Sequence, residues 1–359
     1  MAGSLLAAGV SAANAQALAA KAKPYVRVEC KRVNDEAEIA LGATKIGGAP
    51  DLPAGTAWPW RPPYPDHGQR LEDLRDAIDS MNQRVEVESF GPQTIDQIKK
   101  ALPPEAFGEQ VEEFVASLKK RYESIHFPFE DFARDMRRTA VAAPLAFIAQ
   151  LDLAAVWATG PIDPDIPREG RLLFFYDTSN RPEGDRPADV AGAQLIYDLT
   201  PAAALIRATP PAELMQLKKD ASFPAQRCVL RAAISPPSYL SLGWDACAMK
   251  GKSKKAAEKW WWECMDGSHD HRIGGHPIQI QGYDMQVQCA LVSRGLSYGS
   301  RTAEVFKSAA KNWLLLMQIA SDRSARMMWG DMGNLYVWIH RDALRARRFE
   351  EARVISQCF

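Results

Sequence analysis

Three short blocks occur twice, in the same order, along this chain. Ile46-Gly47-Gly48-Ala49-Pro50 returns as Ile273-Gly274-Gly275-His276-Pro277, and Phe147-Ile148-Ala149-Gln150-Leu151 as Leu315-Leu316-Met317-Gln318-Ile319. Gly170-Arg171-Leu172-Leu173-Phe174-Phe175 returns as Gly333-Asn334-Leu335-Tyr336-Val337-Trp338. A paired glycine or an apolar run is common alone, but ordered recurrence of three blocks is the mark of a duplicated unit. The interval between the first two blocks is much longer in the first copy. The excess falls on residues 66–139, a charged stretch with apolar residues at helical spacing. Leu71, Leu74 and Ile78 make one face, Ile95, Ile98 and Leu102 a second, and Val111, Phe114, Val115 and Leu118 a third, with Pro92, Pro103 and Pro128 as punctuation. The expected fold is therefore α+β: two related, mainly antiparallel β halves with a helical insertion in the first half. The expected boundaries are an N-terminal helix over 1–23, a first half over 24–240 holding the insertion at about 66–139, and a second half over 241–359, in one compact unit.

Alternation of apolar and polar residues predicts a strand over Tyr25–Cys30. Apolar runs predict buried strands over Leu145–Leu151, Arg171–Tyr176 and Ala193–Tyr197, and another strand is expected over Arg227–Ile234. A further strand is expected over Glu38–Lys45, and helices over Pro211–Lys219 and Glu304–Lys311. Gly47, Gly48 and the prolines that follow predict an irregular, ordered loop clamped by Trp58. Met1–Ala20 ends near Ala13-Asn14-Ala15, which has the form of a signal-peptidase site, but its start has no basic residue and its apolar run is short. The reading is a helix of the folded domain that stops at Pro24.

With 47% hydrophobic and 25% charged residues the chain can bury a real core. Lys+Arg and Asp+Glu are both 44, so no global field draws the protein to nucleic acid or anionic lipid. No stretch has the apolar length of a membrane span. Six cysteines, none in CxxC spacing, read as reduced thiols of a cytoplasmic protein.

No P-loop, dinucleotide fingerprint or Gly-x-Ser-x-Gly elbow occurs, and no signature pairs a nucleophile with a base. Candidate residues are therefore chosen by chemistry alone. A buried glutamine must have its amide hydrogen-bonded, so Gln150 and Gln318 are expected to pin the loops at Gly47, Gly48, Gly274 and Gly275. Cys264, Asp266, His269, Asp270, His271 and His276 gather zinc-ligand chemistry in one stretch, without a known finger spacing; a metal site there would use Cys264, His269, His271 and His276. Asp331, between Gly330 and Gly333 and after Trp329, is either a turn residue or a cleft acid. Trp260, Trp261 and Trp262 cannot all enter one core, so at least one is expected at the surface, either as a partner anchor or as packing between halves. The lysines of 250–259 read as a solvated face.

Several of these blocks carry a family resemblance. Lys45-Ile46-Gly47-Gly48-Ala49-Pro50-Asp51-Leu52-Pro53 with Trp58-Pro59, then Pro144–Leu153 and Gly170–Tyr176, resemble the YwqG-like bacterial family of unknown function. The second half resembles it through His271–Pro277 with Gln281, and through Trp329–Tyr336. The helical insertion is longer than the family's usual connection. The resemblance implies a duplicated, mainly antiparallel fold in a bacterial cytoplasm, and for some members a role as immunity proteins; it supplies no catalytic residues. The expected function is a non-catalytic protein-binding factor, of the immunity or antitoxin type that neutralises a toxin, with no cofactor and no nucleic-acid or membrane partner. The alternative is an enzyme, or a small-ligand or metal-binding protein, that uses a cleft between the halves, with Asp331, His271 and His276 as its first candidates.

Overall fold

The computed structural model describes residues 1–88, 127–216, 221–265, 270–282, 284–299 and 303–359. The chain folds as two compact units. The first comprises Met1–Pro62 and Ala143–Phe359, and the second Pro63–Ala142.

The strands are β1 (Lys23–Arg32), β2 (Lys45–Ile46), β3 (Asp51–Pro53), β4 (Trp60–Arg61), β5 (Ala143–Pro144), β6 (Ala146–Asp152) and β7 (Arg171–Tyr176). They continue with β8 (Ala193–Asp198), β9 (Leu205–Arg207), β10 (Gln226–Ser235), β11 (His271–Gly274), β12 (Trp313–Ala320), β13 (Asn334–His340) and β14 (Arg353–Gln357). The helices are α1 (Ala2–Ala7), α2 (Ala12–Ala20), α3 (His67–Glu88), α4 (Phe129–Arg137), α5 (Leu153–Ala158) and α6 (Ala212–Gln216). Then come α7 (Leu242–Asp245), α8 (Gly251–Met265), α9 (Met285–Val292), α10 (Lys307–Ala310) and α11 (Arg341–Arg345).

Ten strands form one sheet in the order β14-β13-β12-β11-β1-β10-β2-β6-β7-β8. Every neighbouring pair is antiparallel. The long pair β1-β10 lies at the centre, with four strands on either side. β2 and β11, each leading into a Gly-Gly turn, flank that pair; β6 and β12, each carrying a glutamine, come next. The β6-β7 ladder shifts register between Phe147 and Ala149, and the β12-β13 ladder between Leu315 and Met317. Such bulges bend a strand and strengthen its twist. The sheet curls almost into a barrel: Ser356 N–H, in the edge strand β14, donates to Glu183 O at 3.1 Å, and the Tyr197 ring of β8 meets Phe349 at 5.0 Å.

β7 and β12 are buried along their whole length, and β6 and β13 almost so, because both faces of the sheet are covered there. The inner face packs one cluster from both sides, including Ile148, Phe174, Leu316, Val337 and Trp329. Outside, Leu52, Phe147, Leu173 and Phe175 form a second cluster beneath Trp58, and α9 covers Leu315, Tyr336 and Trp338. At about 1.5–3 kcal/mol for each large apolar side chain, these clusters dominate what holds the sheet together.

The N-terminal segment differs from the single helix expected over 1–23. It is two helices, α1 and α2, separated at Gly9, whose φ of 88° no ordinary helix residue adopts. The strand expected over Glu38–Lys45 is also corrected. Only Lys45 and Ile46 pair, because Glu36–Glu38 form a short 3-10 turn capped by Asp35 and a second turn follows, with Gly42 at φ 81° and Ala43 N–H donating to Ala40 O at 3.1 Å. The Gly-Pro loop after Ile46 contains the short strands β3 and β4, paired with β9 and β5. Of the helix expected at Pro211–Lys219, Ala212–Gln216 is helical and the rest lies outside the described residues. The one at Glu304–Lys311 is a 3-10 turn, Ala303–Phe306, followed by α10.

In the second unit, α3 and α4 are the main described elements. Leu71 and Leu74 are half-buried and Ile78 buried, as their helical spacing predicts. Tyr64 N–H donates to Thr139 O at 2.8 Å, and Asn82 bonds both the N–H and the carbonyl of Phe127. The faces read at Ile95–Leu102 and Val111–Leu118, with Pro92 and Pro103, lie outside the described residues.

Candidate functional site

Both Gly-Gly turns place two successive residues in the left-handed region, with φ of 66° and 74° at Gly47 and Gly48 and 72° and 74° at Gly274 and Gly275. Gly47 N–H donates to Ile148 O and Gly48 N–H to Phe223 O, both at 2.8 Å. The residue after each pair is held by a side chain from a neighbouring element. Ala49 N–H donates to Glu36 Oε1 at 3.0 Å, and His276 N–H donates to Ser235 Oγ at 2.8 Å.

The two glutamines make matching bonds. Gln150 Oε1 accepts from Asp51 N–H at 3.0 Å, and its amide donates to Ala43 O at 2.9 Å. Gln318 Oε1 accepts from Ile278 N–H at 2.8 Å, and its amide donates to Asp270 O at 3.1 Å. Each glutamine therefore ties the chain before a glycine turn to the chain after it, and each is fully buried.

One buried cation stands at the head of each turn, a feature that the sequence reading missed. Lys45 is 0% exposed, with its Nζ 2.9 Å from Asp51 Oδ1 and 3.0 Å from Glu36 Oε1. Asp51 also accepts from Gly42 N–H, Gln150 Nε2 and Arg207 Nε. Burial raises the Asp51 pKa, but the Lys45 bond and charge, with the Gln150 and Gly42 bonds, hold it below the ordinary carboxylate value. In the second turn Arg272 donates to Asp270 Oδ1 and to His276 O, both at 2.8 Å, and stacks 4.5 Å over the Tyr25 ring. The available signal was a Lys or Arg directly before each Ile-Gly-Gly, but only burial shows that these charges are interior.

The residues read as metal ligands take separate places. His271 is buried; its Nδ1 accepts from Ala320 N–H at 3.1 Å, and its Nε2 lies 3.5 Å from Asp322 Oδ2. The His271 bond, against opposing burial, and two bonds to Ser324 hold the Asp322 carboxyl well below its usual range. Cys264 is exposed on α8, and His269 and Asp266 lie outside the described residues. Among the described residues no three His, Cys, Asp or Glu side chains are grouped to hold an ion. His271 lines a cavity of about 460 Å³ with Asp270, Asp322 and Cys30. His276 lines another, of about 500 Å³, with Lys21, Lys23, Asp284 and Lys311. Asp331 lines neither; it is exposed in the turn, where its backbone carbonyl accepts from Phe359 N–H at 3.1 Å. Trp329 is buried against Tyr176 and Phe223.

His276 Nε2 donates to Lys21 O at 2.7 Å. Burial first, then the nearby Lys23, Arg272 and Lys21, lower its pKa to about 4 even though the Lys21 carbonyl opposes the shift. The folded state thus holds neutral imidazole where the unfolded chain, with its value near 6.5, takes up a proton. The His276 contribution is complete above about pH 6.5 and is lost as pH falls towards about 4, on the order of 2–3 kcal/mol. Denaturant unfolding at pH 7 and pH 4.5 is expected to show a loss of this kind that shrinks in His276→Gln.

Trp58 Nε1–H donates to Leu145 O at 2.8 Å, so this tryptophan is a cover for the outer cluster, while Trp60 is exposed. Trp260, Trp261 and Trp262 lie on α8. Trp260 and Trp261 are buried with Leu5, Leu18 and Trp244, and Trp260 Nε1–H donates to Ser4 Oγ. Trp262 points away and is 47% exposed, consistent with the roughly 100° turn per helical residue. Its ring packs edge-on to Trp261 and tilted against Tyr239, each at 5.5 Å. Lys252, Lys254, Lys255 and Lys259 are exposed along the same helix.

No helix among the described residues is long and apolar enough to cross a membrane. No curated protein matches the chain in sequence. The stretch that carries both glycine turns, both buried cations and both glutamines does have relatives: residues 44–358 match the model of DUF1963, a domain of unknown function, and the chain belongs to that family.

Proposed function

We propose that the protein is a non-catalytic protein-binding factor, of the immunity or antitoxin type that neutralises a toxin by covering its working surface. The observation that carries this reading is Trp262, a large aromatic ring held at the surface by Trp261 and Tyr239. A ring already ordered by its neighbours loses little freedom on binding, and tryptophans of this kind dominate interface energies. Lys252 and Lys255 on α8 suit an acidic partner surface around an apolar pocket, while Lys254 and Lys259 pair with Glu258 and Glu263 of the same helix. The test is capture of partners on the tagged protein in its natural host. Trp262→Ala is expected to weaken capture of the bound toxin by about 30-fold, corresponding to roughly 2 kcal/mol, while the variant, which loses only the half-covered packing of this ring on Trp261 and Tyr239, still unfolds cooperatively from a folded state. Equal capture by the variant and the parent sinks the reading.

We also infer that β2, β6, β7 and β8, and β11, β12, β13 and β14, descend from one ancestral half, with residues 63–142 inserted into the first, and that the YwqG-like proteins are relatives. Four things support this: the strand order either side of β1-β10, the equivalent bulges, the matching glutamine bonds and the buried cation before each turn. An experimental structure in which the two sets of strands failed to superpose in order would remove the inference.

A further inference from the structure

Cys30 of β1 and Cys228 of β10 stand directly opposite each other in the central strand pair. Their sulfurs are 3.0 Å apart, closer than two thiols rest in ordinary packing. Directly opposed residues of an antiparallel pair have Cα separations of about 4.5 or 5.5 Å, both within the range that a disulfide spans. Both thiols are half-buried, and each opens on a different hollow. Cys30 lines the cavity of about 460 Å³ beside His271 and Asp322, and Cys228 a second of about 440 Å³ beside Thr44, Asp152 and Leu230. Neither cysteine is fully enclosed, so a small oxidant can approach the pair.

We propose that Cys30 and Cys228 are a reversible dithiol–disulfide site, oxidised by peroxide and reduced by a dithiol, which staples β1 to β10. Whichever cysteine first loses its proton attacks one peroxide oxygen, breaking the O–O bond. It becomes a sulfenic acid, and the released hydroxide takes up the proton as water. The neighbouring sulfur then attacks the oxidised one. The S–S bond forms, the S–O bond breaks, and the departing hydroxyl leaves as a second water with the thiol's proton. Two thiols and one peroxide yield one disulfide and two waters. A dithiol reverses the change by two exchange steps and is itself oxidised to a disulfide. The hydrogen bond with the Cys228 thiol first, then burial and the Asp322 charge, push the Cys30 pKa up, so Cys30 rests as a thiol. The staple joins residues 198 apart in sequence, across the strand pair that links the two sides of the sheet, so it constrains the unfolded chain strongly.

The experiment treats the purified full chain with hydrogen peroxide, caps remaining thiols with iodoacetamide and digests it with trypsin without reductant. The expected product is the peptide Val28–Lys31 linked to Cys228–Arg231, which disappears when dithiothreitol precedes capping. The oxidised parent chain is expected to melt several degrees higher than the reduced chain, a shift absent in Cys228→Ser. In that variant Cys30 is expected to stop at the sulfenic acid, trapped by dimedone. Recovery of both cysteines capped after oxidation, their oxidation to sulfinic acids without a link, or a link to the exposed Cys264 instead would each overturn the proposal. The peptide readout on the parent chain does not depend on how well the variant folds.

Discussion

Asp51→Ala is expected to destabilise the protein by about 3–5 kcal/mol, the cost of leaving a buried charge without its counter-ion. Lys45 is fully enclosed, and Glu36, its remaining partner, is partly exposed to water. The substitution also strips acceptors from Gly42 N–H, Gln150 and Arg207. Replacing the pair together, as Lys45→Met with Asp51→Leu, is expected to recover much of the loss, because paired apolar side chains avoid the desolvation of both ions. The pH dependence follows from the lowered Asp51 pKa. Its contribution is complete above the unfolded value near 3.9 and is lost as pH falls through the lower folded value, so parent and variant converge in acid. Guanidinium unfolding followed by tryptophan fluorescence measures this directly. A loss below about 1 kcal/mol at pH 7 would show that the enclosed ion pair is not what holds the first glycine turn.

Gly47→Ala and Gly274→Ala are expected to separate backbone strain from crowding, because both glycines have positive φ but different surroundings. Forcing alanine into the left-handed region costs about 1–2 kcal/mol at either position. At Gly274 the nearest atom to an added Cβ is Pro24 O at 4.0 Å, so strain is the whole cost. At Gly47 the Cβ would sit 2.5 Å from Pro224 O and 3.1 Å from Phe223 O, both backbone atoms with no rotamer to escape into. The total there is expected to reach roughly 3 kcal/mol or more. Equal losses at the two sites would mean that the chain at Phe223–Pro224 yields freely and does not lock the turn.

Much of the sheet was legible in the chain. The apolar runs at Leu145–Leu151 and Arg171–Tyr176 and the alternation at Tyr25–Cys30 became β6, β7 and β1, because burial on two faces or on one leaves its own period in the sequence. The paired glycines announced left-handed turns, because other residues pay steric energy there. The tryptophan run required an exposed ring on geometric grounds, and Trp262 is that ring. Glu38–Lys45 misled, since a 3-10 turn capped by Asp35 and a turn through Gly42, at φ 81°, take the place of strand pairing.

Only the tertiary structure decided the rest. A lysine before Ile-Gly-Gly reads as a surface charge until Asp51, Glu36 and Arg207 are seen to enclose one network. His271 and His276, close in sequence, line different cavities because the strand ends and a double-glycine turn intervenes between them. Cys30 and Cys228 meet because β1 and β10 pair in one register, and a slip of a single residue would send the two side chains to opposite faces. Local preference is written in each segment by its own periodicity and steric limits. Which charge finds which partner, and which thiol faces which, depends on long-range pairing, and that is fixed only when the whole sheet closes around its core.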